Sequence, residues 1–470
     1  MSDSGRGTQE QPTELAGWIE QRTGLRSVLR AALYEPIPGG ARWAYIFGSG
    51  LAFLLLSQFL TGVALALYYV PASNDAHVSV SYIVKVASFG SFLRSLHSYG
   101  ASALIVVLLL HVGQTIIYGA YKGRRELVWL AGCVLLVLIF GMAFTGCLLP
   151  WDQRAYFATA VGTNVMGEVP IAGEVLKRLL RGGTQLGTVT LSRFFVLHVF
   201  VLPALLILFV VVHIALFRRV KPAGPVEEHP VHPTLPTGAF YPAQLARDMV
   251  FAALLATVIA ALAHFSPVPL GPKANPSDPA YLPRPEWYFL PLFQWLKLWP
   301  GRSTVVGIVV IPTFVTLAFL GLPFLDRKLE RRPLRRPMAV GGFLVFLAGA
   351  IGLGIWSHTQ DRADAAVRKQ MDRQEAQTNE FMRAPFVPES NEASVVALAP
   401  SAESSDAAIS KGRELFVSYH CNACHGQNGV GTQIAPALVG IRSRLSQDQI
   451  EATLHMPSEK AAKIGMPSFS

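Results

Sequence analysis

Seven long stretches of this chain contain no lysine, arginine, aspartate or glutamate, and nothing else in it constrains the fold as much. They are residues 43–70, 98–121, 127–151, 194–217, 249–272, 303–325 and 338–357, here called spans one to seven. Each reaches the roughly 20 residues that a helix needs to cross a hydrocarbon layer. Helices of soluble proteins average little more than half that length, so seven such stretches exclude an ordinary soluble enzyme. The expected class is all-α: a polytopic membrane protein with seven transmembrane helices, four in a first bundle and three more after it.

The net charge of +10 could suggest a nucleic-acid partner, but its placement argues against one. With the N-terminus in the cytoplasm, the segments on that side (1–42, 119–127, 217–247 and 326–337) hold 18 Lys plus Arg. The opposite segments (71–90, 150–192 and 267–301) hold 8. This is the positive-inside bias of membrane proteins, so the basic charge reports topology and no nucleic acid is expected. Seven crossings then deliver the C-terminal tail to the outer face. Residues 1–42 lack the apolar core of a signal peptide, and 13–33 read as a helix lying along the inner surface.

The resulting division is a cytoplasmic surface segment (1–42), a four-helix domain (43–220), a three-helix domain (221–357), a charged segment with a linker (358–405) and a small domain (406–470). Pro203 and Pro312 fall inside spans four and six, where they are expected to kink the helix. Cys133 and Cys147 in span three read as buried thiols.

Spans two and four each carry two histidines: His97 and His111, then His198 and His213. The separations of 14 and 15 residues return each pair to within about 60° of one helix face, roughly 21–22 Å apart in depth. Both helices run from outside to inside, so His97 pairs with His198 near the outer face and His111 with His213 near the inner. A single imidazole at membrane depth can simply bond a neighbouring helix, but four in a two-by-two pattern need a stronger cause. Bis-imidazole ligation of two non-covalent haems supplies it. Gly48 and Gly62 on span one, and Gly132 and Gly146 on span three, repeat the 14-residue spacing. That spacing offers room against a porphyrin at both depths. The alternative for isolated glycines is helix–helix packing.

These features resemble the cytochrome b of the quinol–cytochrome c and plastoquinol–plastocyanin oxidoreductases. The run FLRSLHSYGASALIVVLLLHV, the sequence TGCLLPWDQ and the tetrapeptide PEWY at 285–288 carry the resemblance, over residues 30–330. The 15-residue gap in span four and PWDQ are similar to the photosynthetic branch, where the four and three spans are separate polypeptides. The resemblance implies quinol oxidation at the outer face, with Glu286 taking a proton beside Tyr288, and Trp151 and the loop 150–192 as the opposite wall. A helix-capping role for Glu286 is the alternative. It also implies that Arg94 meets a propionate of the outer haem, as Arg124 or Arg125 would for the inner one. Asp248, with Arg247 and Arg218 nearby, would lie near an inner quinone site, where an interfacial cap is the competing reading. The segment AYIFGSG has no cysteine, so the extra covalent haem of the photosynthetic branch is not expected. Implied partners are a Rieske-type iron–sulfur protein, further c-type cytochrome subunits, the quinone pool, membrane lipids and a second copy of the complex. A bacterial inner membrane is the expected location. The rival reading is a b-haem membrane anchor of a dehydrogenase or hydrogenase.

CNACH at 421–425 is a c-type haem attachment motif, in which Cys421 and Cys424 form thioethers and His425 is the proximal ligand. The small domain is therefore expected to be a class I-like cytochrome c with one covalent haem. Met466 in GMPSF is the first choice for the sixth ligand and Met456 the second. Only four residues follow Met466, so this domain is expected to lean on a partner.

Overall fold

The computed structural model describes residues 14–224, 226, 237–276, 278, 280–388, 407–419, 421–426, 429–431, 435 and 437–457. It divides into two compact units, Met1–Phe386 and Val387–Ser470. In the first, six helices are long and apolar enough to cross a membrane: Trp43–Ala66, Gly90–Ile117, Glu126–Leu148, Thr188–Val220, Phe240–Phe265 and Pro337–Ala363. The remaining stretch, span six, forms a shorter apolar helix, Val306–Leu320.

Several boundaries differ from expectation for identifiable reasons. Span two starts at Gly90, taking Arg94 into its first turns. Span five stops at Phe265 because Pro267 and Pro269 cannot continue a helix. The expected single N-terminal helix is two, Glu14–Thr23 and Leu25–Leu33, broken at Gly24, whose φ of 60° suits glycine. Their apolar residues Trp18, Val28 and Leu29 are exposed.

Pro203 and Pro312 are each preceded by a π turn, Leu197–Val201 and Val306–Val310. The N–H of Leu202 donates to the Leu197 carbonyl, and that of Ile311 to Val306. Proline brings no donor and its ring clashes with the carbonyl four residues back. A turn one residue wider moves that carbonyl aside without breaking the helix.

Leu54, Ile105, Leu108, Ile139, Leu206 and Ile259 form the buried core, one or two from each of spans one to five. Phe200 and Val345 point outward and are 61% and 73% exposed, as apolar residues facing lipid tails should be. Three shorter helices, Ala76–Lys85, Gln153–Gly167 and Gly173–Arg181, lie in the connections after spans one and three. After span seven, Asp364 caps a further helix, Ala365–Arg383, by accepting from the N–H groups of Ala366 and Val367.

A buried ionic cluster ties the four-span part to the last spans. Lys122, in the loop after span two, lies 2.6 Å from Asp326, in the loop after span six. Its ammonium also donates to the Lys328 and Glu330 carbonyls. Tyr121 donates to the other Asp326 oxygen at 2.5 Å, and Arg336 donates to the Tyr121 hydroxyl and to the Ile116 and Ile117 carbonyls.

Paired histidines and a carboxylate at each end

The four histidines face the four glycines one to one. A β-carbon on Gly62 would stand 3.2 Å from Cε1 of His97, and on Gly146 only 2.6 Å from Cε1 of His198. On Gly132 it would be 3.4 Å from Cε1 of His213, and on Gly48 3.9 Å from that of His111. Span one thus makes room for the rings of span two, and span three for those of span four.

The rings of His97 and His198 have their centroids 6.3 Å apart. Two metal–imidazole bonds of about 2 Å each, with the two ring half-widths, make roughly that separation. The π turn Leu197–Val201 contains His198. It takes up one extra residue, so the 15-residue gap in span four matches the 14-residue gap in span two.

Two threonines fix the orientation of the first pair. The Thr61 hydroxyl donates to the Ser57 carbonyl at 2.7 Å and lies 2.9 Å from His97 Nδ1. The Thr145 hydroxyl donates to Gly141 at 2.8 Å and lies 3.0 Å from His198 Nδ1. Each hydroxyl has a single proton, already used on its own helix, so it accepts from the imidazole. Nδ1 therefore carries the hydrogen on both rings, and Nε2 keeps its lone pair for a metal. Sequence reading missed these threonines, although each immediately precedes a glycine of the grid, as Thr61-Gly62 and Thr145-Gly146. Among the described residues, His111 Nδ1 and His213 Nδ1 are buried with no hydrogen-bond partner. All four fit as axial ligands.

Glu286 begins the short turn Trp287–Phe289 but makes no capping hydrogen bond. Its Oε1 lies instead 3.2 Å from Arg154 Nη1, an ionic partner that was not anticipated. Tyr288 and Phe289 follow at 4.9 Å between ring centroids, and Phe289 meets Phe140 and Phe144 of span three. Trp287 donates to Ser102 of span two. PEWY thus sits at the end of the bundle that holds Thr145, Gly146 and His198. Burial raises the Tyr288 phenol above its ordinary pKa of 10.0, keeping it a neutral hydrogen-bond donor. Trp151 is buried against Ala76 and Leu191 and supports the fold of its loop.

Asp248 marks the other end. It is buried, and its carboxylate accepts from Ser49 at 2.7 Å and Gln244 at 2.8 Å. Ser49 directly follows Gly48, which faces His111. Gln244 in turn accepts from the Arg42 N–H. Arg94 donates to the Val268 and Pro269 carbonyls, and Arg125 to the Val220, Lys221 and Pro222 carbonyls. Both arginines therefore serve backbone that leaves neighbouring spans.

In the second unit, CNACH forms a short helix, Cys421–His425, after the helix Ala407–Ser418. The His425 carbonyl accepts from Gly431 N at 2.7 Å. Met456, at the end of the helix Gln447–His455, is 82% exposed. Met466, the Cys424 side chain and most of the linker lie outside the described residues.

Comparison with known proteins matches both membrane parts and the small domain. The family described as Cytochrome b/b6/petB matches residues 33–221, Cytochrome b(C-terminal)/b6/petD matches 273–371, and Cytochrome c matches 409–467. A "Cytochrome bc complex cytochrome b subunit" from Chlorobaculum thiosulfatiphilum is 35% identical over 70% of this chain and 78% of its own length. A cytochrome b from Rickettsia prowazekii is 32% identical over 72% of this chain and 85% of its own. A chain of the solved structure "Hyperthermophilic respiratory Complex III" superposes with a TM-score of 0.66 at 27% identity, covering 78% of this chain and 96% of that one. The chain belongs to the cytochrome b family of cytochrome bc complexes, membrane electron-transfer oxidoreductases, and carries a cytochrome c domain fused at its C-terminal end.

Proposed function

We propose that this chain oxidises quinol at one membrane face and reduces quinone at the other. One observation carries the reading: each pair of histidines has its own carboxylate at its end of the bundle, Glu286 beside His97 and His198, and Asp248 beside His111 and His213. His97 with His198 would hold one haem b, and His111 with His213 a second. Bound there, two haems supply one-electron carriage across the membrane. Gly48, Gly62, Gly132 and Gly146 keep the rings and the space beside them clear, and Thr61 and Thr145 hold the first pair in its metal-binding tautomer.

Glu286 receives a quinol proton in a pocket walled by Tyr288, Phe289 and the end of span three. General-base transfer of this kind contributes on the order of 10²–10⁴ in rate. One electron leaves by a Rieske-type iron–sulfur protein toward c-type haem, and the other crosses from the outer to the inner histidine pair's haem to reduce quinone inside. Asp248, held by Ser49 and Gln244, supplies protons to quinone at the inner face. Arg94 remains the candidate for a propionate of the first haem, through N–H groups not used on Val268 and Pro269. Cys421, Cys424 and His425 attach haem c, with Met466 as its sixth ligand, and this domain acts as a tethered acceptor or relay. The positive-inside bias supports a cytoplasmic N-terminus, with the cytochrome c domain on the outer side of what we take to be a bacterial inner membrane. The complex works as a homodimer.

The direct test is the haem content and activity of the purified complex. Haem b and haem c at 2:1, with quinol-dependent reduction of an added cytochrome c, is the expected result. A single haem b without quinol oxidation would favour a dehydrogenase anchor instead.

A further inference from the structure

Arg154 is the residue around Glu286 that the quinol-oxidation reading leaves unused. It occupies the second position of the helix Gln153–Gly167, whose start is fixed when Asp152 accepts from the Ala155 N–H at 2.9 Å. The same carboxylate accepts from Gly271 N at 3.1 Å, which pins this helix start to the segment after span five. Arg154 is therefore delivered to Glu286 by rigid backbone, although its own side chain is 44% exposed.

Two different environments flank the Arg154–Glu286 pair. On one side stand Tyr288, Phe289 and Phe144, all aromatic. On the other is a cavity of about 1110 Å³ lined by Arg154, Asp278, Tyr281, Arg284, Pro285 and Asp361, among others, and bounded by the helix Ala365–Arg383. Glu286 does not line this cavity, but Arg154 and Pro285 do. Among the described residues, Arg154 holds Oε1, while Oε2 takes no hydrogen bond from the protein.

We infer that Arg154 is a positioning residue for Glu286, a charge latch that holds one carboxylate oxygen so that the other is presented to the quinol. The inference rests on the quinol-oxidation reading. With Oε1 held by Arg154, Oε2 faces the quinol hydroxyl. The quinol O–H bond breaks, its proton forms an O–H bond on Oε2, and the bonding pair stays on the quinol oxygen. The electron passes to the iron–sulfur protein proposed above. Neutralising the carboxylate removes its Coulomb attraction to the guanidinium, and loss of the proton to water restores the charge and the pair with Arg154.

The test uses the assembled complex with decyl-ubiquinol, or a menaquinol analogue if the first is not turned over. Arg154→Met is expected to lower kcat roughly tenfold or more, the scale of a misplaced catalytic group. KM should stay nearly constant, the solvent isotope effect should rise and the haem spectra should not change. Arg154→Lys, which keeps the charge, should recover most of the rate. In a Glu286→Gln background, Arg154→Met should cost nothing further, because it acts through a carboxylate already gone. If the two losses multiply instead, or Lys gives no rescue, the latch is wrong while the role of Glu286 stands. If Glu286→Gln alone leaves turnover intact, the quinol-oxidation reading fails, and the latch with it.

Discussion

Gly146 and His198 are matched so closely that a β-carbon on the first would come within 2.6 Å of the imidazole of the second. No ordinary side chain fits there without moving the ring. Substitutions at this glycine therefore act through an imidazole on another helix. Gly146→Leu should remove one b component from a redox titration of the complex, and Gly146→Ala should weaken the same component. The component held by His111 and His213 should persist in both. Two surviving b components in Gly146→Leu would mean that His198 is not an axial ligand.

The Thr145–His198 hydrogen bond makes a finer prediction. Its oxygen accepts from Nδ1, which raises the basicity of the opposite nitrogen. Thr145→Val should therefore weaken the donor and raise the midpoint potential of that haem. The loss of about 1 kcal/mol corresponds to a shift on the order of 40 mV for a one-electron couple. Potentiometry should show the other b component unmoved.

Glu286→Gln keeps the size of the side chain and removes its ability to accept a proton. Quinol oxidation should slow by about 10²-fold or more, with all haem spectra intact. Steady-state turnover matching the native complex throughout the range from about pH 5 to 9 would refute the assignment.

The buried cluster of Lys122, Asp326, Tyr121 and Arg336 predicts a stability effect with a defined pH dependence. Burial opposes ionisation of Asp326, but hydrogen bonds from Lys122 and Tyr121 outweigh it and hold the carboxyl below its ordinary 3.8. A depressed folded pKa contributes stability that is complete at neutral pH and lost as pH falls below about 4 through the folded value. Asp326→Ala leaves the Lys122 ammonium buried without its counter-charge, which costs about 3–5 kcal/mol. Thermal unfolding in detergent should show that loss at pH 7 and a smaller one at pH 3.

Cys421→Ser with Cys424→Ser should abolish haem staining of this chain on a denaturing gel, since the b haems are held without covalent bonds. Staining that survives would place a covalent haem elsewhere in the chain.

Charge-free stretches and histidine spacing made the membrane fold legible, because a hydrocarbon layer leaves so few ways to place a polar ring. The boundaries were less legible. Span two reached back to Gly90 through Arg94, a charge that composition would exclude but that backbone carbonyls of the segment after span five satisfy. Span five ended early at its prolines. Of the site, the histidines and glycines could be read from spacing alone. Thr61 and Thr145 left a trace, the repeated Thr-Gly pair, that gains meaning once the helices face each other. Arg154 left none: it pairs with Glu286 across 132 residues of chain, and only folding brings the helix Gln153–Gly167 to PEWY.

The wide turn at Leu197–Val201 bears on how relatives of this chain should be compared. Counting from His198 to His213 gives one residue more than from His97 to His111, and that residue is stored in the turn rather than spread along the helix. It behaves as a single insertion with a fixed address. An ungapped comparison with a relative whose fourth span has the shorter spacing would shift one of the two histidines out of register. Placing the gap between His198 and Pro203 restores both. Deleting Phe200, which faces outward, would let the helix close into a regular turn only if Pro203 were replaced as well, because a regular turn sets its ring against the carbonyl four residues back.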